Sequence, residues 1–184
     1  MAHEIYTTEG IVLGGHNFGE ANRWYFILTP TLGLVTVRAQ GVRLGGSKLR
    51  GHLPLFGHAE VSLVRGRDSW LLTGAAASGR YAALAAAPAA RLLAARISSL
   101  LRRFLTEAEG NLAVFAEVDQ AFARLSTTAL ESVELETTEV VLIWRLLHAL
   151  GYIAGPMRLG RDGAPLALEE LIRDINQALT HSHL

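Results

Sequence analysis

The spacing of apolar residues changes near Gly79, and this break limits what the chain can fold into. Before it, apolar residues alternate with polar ones along short runs; after it, they return every third or fourth position. Leu34-Val-Thr-Val-Arg-Ala-Gln40 shows the first period, with Val35, Val37 and Ala39 on one face and Thr36, Arg38 and Gln40 on the other. Similar runs cover Thr8–Phe18, Arg23–Thr29, Glu60–Val64 and Trp70–Ala75. Pro30-Thr-Leu-Gly33 and Gly66-Arg-Asp-Ser69 supply turns between them. Five short strands with glycine-rich connections and no long helix between them predict a small closed barrel, not alternating βαβ units.

The second half reads as helices. Pro88 suits the first turn of one whose stripe is Leu93, Ile97, Leu100, Leu101 and Phe104. Asn111 is placed to cap a second, carrying Leu112, Phe115, Val118, Phe122 and Leu125. A third, from about Leu135, is apolar on most sides through Val140-Val-Leu-Ile-Trp-Arg-Leu-Leu147 and is expected at the centre of a bundle, ending at Gly151. The last begins at Pro165 and carries Leu168, Leu171, Ile172, Ile175 and Leu179. The expectation is an α+β chain of two domains, a β-barrel over residues 1–79 and an all-α helical domain over 80–184.

Half of the 184 residues are hydrophobic and 18% are charged, a composition that supports a packed core. There is no cysteine, which excludes disulfides, a thiolate nucleophile and cysteine-based zinc sites. No segment has the length and apolarity of a membrane span, and the first residues lack the pattern of a signal peptide. A soluble cytoplasmic protein is expected.

Charge is segregated. The 39 residues from Ala21 to Ala59 hold Arg23, Arg38, Arg43, Lys48 and Arg50 and no Asp or Glu, although the whole chain is neutral. Residues 1–80 carry a net +3 and residues 81–184 a net −3. A one-sign patch on a neutral body suits a polyanion, of which a phosphate backbone is the commonest; a solvated basic loop without a partner explains the same charges.

Little else suggests chemistry. Gly41-Val-Arg-Leu-Gly-Gly-Ser-Lys48 is not a nucleotide-binding P-loop, because Ser precedes Lys and no helix is expected to follow. Glycines that allow close approach, with lysine and arginine beside them, suit contacts to backbone phosphates. Of seven histidines only His181 and His183 are closely spaced, and a frayed terminus explains them better than a metal site. His148 reads as a core or boundary residue, and His52 and His58 show no carboxylate companion. Glu131, Glu134, Glu136 and Glu139 fit an exposed helix start. No serine lies in a nucleophile elbow. Neither an enzyme, a metal nor a cofactor is expected. Trp24, Tyr25 and Phe26 are consecutive on one strand, so one of the two faces they supply can be exposed; Tyr25 shares its face with Arg23, a pairing suited to base stacking or, equally, to a barrel core. Trp70 and Trp144 read as core.

Thr8-Glu-Gly-Ile-Val-Leu13, Phe18-Gly-Glu-Ala-Asn-Arg23, Leu28-Thr-Pro30, Leu32-Gly33, Ala39-Gln-Gly-Val-Arg43 and Ser47-Lys-Leu-Arg-Gly51 leading into Leu55-Phe56 resemble, in order and spacing, the bacterial recombination mediator family RecO. Leu146-Leu-His-Ala-Leu-Gly-Tyr152 resembles that family's helix end before its zinc-finger region. The resemblance implies an N-terminal five-stranded OB-type barrel and a helical domain. It also implies non-catalytic work: binding single- and double-stranded DNA, annealing complementary strands coated by single-strand binding protein (SSB), and helping to load RecA together with RecR. Arg23, Arg43, Lys48 and Arg50 fall on basic positions of the family motifs. With Tyr25 and Arg38 they form the expected nucleic-acid site.

The chain departs from the family in one place. Many members carry a four-cysteine zinc finger after the Leu-Gly-Tyr element; here residues 157–164 offer only a short turn, Gly160-Arg-Asp-Gly163. The helical domain is the expected seat of protein contacts, with Arg102, Arg103, Arg124 and Arg145 as candidates for the acidic, apolar tail of SSB. Two rival readings are a protein-binding adaptor whose barrel has lost DNA affinity and an RNA-binding module of translation.

Overall fold

The computed structural model describes residues 4–49, 51–105, 110–127, 132–157 and 168–181. Five strands, β1 (Ile5–Phe18), β2 (Asn22–Thr29), β3 (Gly33–Ala39), β4 (His58–Arg65) and β5 (Trp70–Ala77), close a barrel in the order β1-β2-β3-β5-β4. The strand β1 serves two neighbours. Its first half pairs with β4, from Ile5↔Val64 to Ile11↔His58, and its second half pairs with β2, from Ile11↔Leu28 to Phe18↔Asn22. An irregularity between Val12 and Gly14 bends the strand from one partner to the other. A short parallel pairing of β3 with β5, Val37↔Trp70 and Arg38↔Leu71, completes the closure. This is the OB-type barrel expected.

The alternation read in β3 holds: Val35, Val37 and Ala39 enter the core with Ile27, Leu63 and Trp70, while Thr36 and Arg38 face outward. The turn after β2 is held by Thr29, whose hydroxyl donates to the Gly33 carbonyl at 3.0 Å and accepts the Leu32 N–H at 3.0 Å.

After β5 a 3₁₀ turn (Ala82–Ala86) leads into α1 (Pro88–Phe104) and α2 (Leu112–Thr127). Pro88 stands at the start of α1, where its missing N–H costs nothing. Asn111 caps α2: its side-chain oxygen accepts the Val114 N–H at 3.0 Å. Phe122 is fully buried and meets Phe56 and Tyr81 edge-on, at 6.0 and 5.8 Å between ring centroids. These contacts bind α2 to the segments that enter β4 and leave β5. Secondary structure therefore changes near residue 80, as expected, but the first compact unit runs to Thr127. Leu112, expected in the stripe of α2, is exposed, and Val114 is buried in its place.

The second unit, residues 128–184, pairs α3 (Ser132–Ala149) with α4 (Leu168–His181). Leu142, Trp144, Leu146 and Leu147 are buried, whereas Val140, Val141 and Ile143 stay half-buried. Backbone bonds from Gly151 N–H to the His148 carbonyl (2.9 Å) and from Tyr152 N–H to the Leu147 carbonyl (2.8 Å) end α3. In α4, Leu171, Ile175 and Ala178 are buried and Ile172 is exposed. The expected helix start at Pro165 lies outside the described residues, as does nearly all of the turn expected in place of a zinc finger.

Candidate nucleic-acid interface

Three of the five expected cations, Arg23, Arg38 and Arg43, flank the turn between β1 and β2. Gly19 and Gly41 both take left-handed backbone angles, φ 60° and 63°, which a side chain would strain. They fold the β1–β2 turn and the segment after β3 toward each other. Asn22 Oδ1 accepts the Gly41 N–H at 3.0 Å, and Arg43 N–H donates to the Ala21 carbonyl at 3.0 Å. The Arg43 guanidinium then donates to the Gly19 carbonyl at 3.1 Å. Arg23 follows directly on β2, its guanidinium 5.2 Å from the Tyr25 ring centroid. Arg38, on the outer face of β3, lies 5.8 Å from the ring of Phe18 at the end of β1.

Stacking holds these side chains, since Nε of Arg23 and Nε of Arg38 are buried without a hydrogen-bond partner. Among the described residues neither they nor Arg43 forms an ion pair. Glu20, the carboxylate on the turn, is exposed and forms none with them either. Guanidinium groups around one turn that form no ion pair can donate to phosphate oxygens without first breaking a salt bridge.

Tyr25 requires a correction. It is 6% exposed, inside the barrel, and burial raises its hydroxyl pKa against the opposing effect of Arg23. It belongs to the core and supports Arg23 from below, so it is not a surface for stacking. The alternation of β2 instead turns Trp24 and Phe26 outward. Across the sheet His16, Trp24 and Arg38 are register partners, and Phe18, which is 50% exposed, meets Trp24 at 6.4 Å. His16 and Phe26 approach to 5.9 Å, and Arg102 of α1 lies 4.1 Å from the Phe26 centroid. The outer face of β2 and β3 thus carries aromatic rings interleaved with arginine, on the surface that OB barrels offer to oligonucleotides.

Sequence reasoning left open which face of Trp24-Tyr25-Phe26 is the core, because local spacing does not say, and favoured Tyr25 for its pairing with Arg23; it did not single out Phe18. It also passed over Arg65 and Arg67. Both are exposed at the hairpin joining β4 to β5, where Arg65 stacks on Trp70 at 4.9 Å and Trp70 meets Val37 of β3.

Lys48 is exposed in the turns that follow Arg43, and no helix follows them, in keeping with the rejection of a P-loop. Arg50 lies outside the described residues. Arg103 and Arg124 are exposed on α1 and α2, and Arg145 is half-buried on α3 in the second unit. His148 is exposed and stacks on Trp144 at 5.1 Å.

His58 does have a carboxylate companion: its Nε2 lies 3.2 Å from Glu9 and its Nδ1 3.1 Å from the Ser78 hydroxyl. The register of β1 against β4 brings these distant positions together. The line resembles a nucleophile relay, but the Ser78 hydroxyl donates to the His58 carbonyl at 3.1 Å and accepts the Arg80 N–H at 3.2 Å. Its proton is committed to the backbone, and the group works as a turn. Beside it Tyr81 donates to Asp119, which Arg80 pairs at 2.7 Å.

No helix among the described residues is long and apolar enough to cross a membrane. Residues 1–81 match the family model described as "Recombination protein O N terminal". A protein named DNA repair protein RecO from Dehalococcoides mccartyi strain 195 is 32% identical over 123 residues, 67% of this chain and 49% of the relative. One of the same name from Roseiflexus sp. strain RS-1 is 32% identical over 152 residues, 83% of this chain and 52% of the relative. A third, from Dehalococcoides mccartyi strain BAV1, is 44% identical over 69 residues, 38% of this chain and 27% of the relative. The chain thus spans about half the length of the first two relatives, and both matches run beyond the N-terminal barrel of residues 1–81 into the helices. The chain belongs to the RecO family.

Proposed function

We propose that this chain is a non-catalytic DNA-binding protein of repair and recombination, which binds single- and double-stranded DNA and anneals complementary strands. The observation that carries this reading is that Arg23, Arg38 and Arg43, none of them ion-paired to a described residue, flank one turn, with the exposed ring of Phe18 and the half-buried ring of Trp24 beside Arg38 on the outer face. Cations track phosphates while rings engage bases, and neutralising two strands lowers their repulsion, so pairing is favoured without any covalent step. Lys48 and Arg50 follow in the same basic stretch of sequence.

The partners fitting this role are SSB-coated DNA and RecR, with RecA loaded indirectly. The helical elements after residue 80 are the proposed seat of protein contacts. Arg103 and Arg124 are exposed there and suit an acidic tail, with Arg102 and Arg145 as further candidates. Annealing of SSB-coated complementary strands, with and without the protein, tests the reading. Acceleration that disappears in the Arg43→Ala, Lys48→Ala, Arg50→Ala triple variant supports it.

Leu44 and Leu55, exposed among the basic loop residues, favour a second reading, an adaptor for an acidic and apolar protein surface. SSB or RecR binding with no affinity for bare oligonucleotide is the outcome that selects it. Equal binding to RNA and DNA without annealing selects an RNA-binding module.

A further inference from the structure

Where α1 ends against the outer face of β2 and β3, a cavity of about 190 Å³ opens between Phe26, Leu34, Thr36, Arg102 and Leu105. Its volume is below the ~300 Å³ at which pockets begin to suit drug-sized ligands, so it admits one ring system and not a whole nucleotide. Phe26 supplies a half-buried aromatic face, Leu34 and Leu105 supply apolar walls, and Arg102 lies over the ring at 4.1 Å. Arg102 is exposed, and no acidic side chain among the described residues pairs with it.

We infer that this slot takes a single unpaired nucleobase, which stacks on Phe26 while the Arg102 guanidinium moves aside to cover its other face. The inference rests on the nucleic-acid reading of the barrel and adds to it a means of telling single strands from duplex. Aromatic rings and guanidinium planes are the two side-chain surfaces on which unstacked bases lie. An exposed arginine changes rotamer within nanoseconds, so its present position over the ring is no obstacle. Phe26 follows Trp24 by two residues on the same face, which puts the two rings about 7 Å apart along the strand. That spacing serves neighbouring bases of an extended strand. A base held inside a duplex cannot enter the slot without leaving its stack.

The test uses the full chain and a single-stranded oligonucleotide bearing 2-aminopurine, the same strand with scattered abasic sites, and a duplex of the same length. Phe26→Leu keeps apolar volume without a π-face, and Arg102→Lys keeps charge without a planar stack. Each variant is expected to weaken binding of the intact single strand about tenfold. Each should also lose the preference for intact over abasic strand and leave duplex affinity unchanged. The wild-type complex should quench 2-aminopurine fluorescence. Single-strand binding that persists undiminished in Arg102→Lys, or that falls equally for duplex, overturns the slot while leaving DNA binding standing. A wild-type protein that binds neither strand nor duplex overturns the nucleic-acid reading itself. Arg102 is on the surface, so its variant reports even if Phe26→Leu folds poorly.

Discussion

The Arg43 guanidinium donates to the carbonyl oxygen of Gly19 at 3.1 Å and so ties the loop after β3 to the turn between β1 and β2. With the backbone bond from Arg43 to Ala21, it fixes where the basic segment begins. Carbonyl pairing leaves the charge of Arg43 uncompensated, which is the condition for an electrostatic contact with DNA. If the five cations between Ala21 and Ala59 each displaced one counterion from single-stranded DNA, log affinity would fall with log salt at a slope of about −3.5. Replacing Arg43, Lys48 and Arg50 by alanine is expected to reduce that slope by roughly 2. Fluorescence anisotropy across a salt series measures it, and an unchanged slope in a folded variant refutes the assignment.

Trp24 and Phe18 carry no charge, so their loss should act differently. Trp24→Ala is expected to weaken single-strand binding by about 1–3 kcal/mol per stacked base and to leave the salt slope unaltered. The same titration reads both quantities. A fall in slope without loss of affinity extrapolated to high salt would show that the rings only hold Arg38 in place.

Phe56 has φ 59°, a left-handed conformation that costs a non-glycine residue about 1–2 kcal/mol. It is nevertheless buried, with its N–H bonded to the Val12 carbonyl at 2.9 Å and its ring against Phe122. Phe56→Ala loses the ring and keeps the strain, whereas Phe56→Gly loses the ring and relieves it. The glycine variant should therefore be the more stable of the two by about 1 kcal/mol in urea unfolding. This is the reverse of the usual order for these residues, and alanine proving the more stable would mean that the strain is absent in solution.

Removal of the Asn111 cap tests the second helix of the first unit. Asn111→Ala leaves the Val114 N–H without its 3.0 Å acceptor and should cost about 1 kcal/mol of stability. The urea midpoint should fall while the salt slope of DNA binding stays the same. Loss of DNA binding at full stability would instead place Asn111 in the interface.

Burial and the bond to Asp119 raise the pKa of Tyr81 well above the usual tyrosine value, and burial raises that of Tyr25. The folded state thus keeps protons that the unfolded chain releases near pH 10. Their contribution to stability is complete below that pH and is lost as pH rises beyond it. An alkaline titration should show phenolate absorbance from these two residues appearing together with unfolding. Phenolate formation in the intact fold at ordinary tyrosine pKa would contradict the burial. Tyr81→Phe should remove the part of the alkaline destabilisation that this hydroxyl causes.

The sequence by itself determined the order of elements, because periods of two and of three to four residues are local properties of a chain that buries one face of each element. It placed Arg38 on an outer strand face, Asn111 at a helix start and Trp70 and Trp144 in cores, each a choice that neighbouring residues decide. It also segregated the cations. Only the tertiary structure decided that Tyr25 and not Trp24 faces inward, that Glu9 finds His58 across β1 and β4, and that Arg102 lies over Phe26. Barrel closure and register set those pairings, and they join residues far apart in the chain, so no local spacing encodes them. The first unit runs past the break near residue 80 for the same reason: Phe122 buries itself against rings from the barrel side, and that burial outweighs the change in secondary structure.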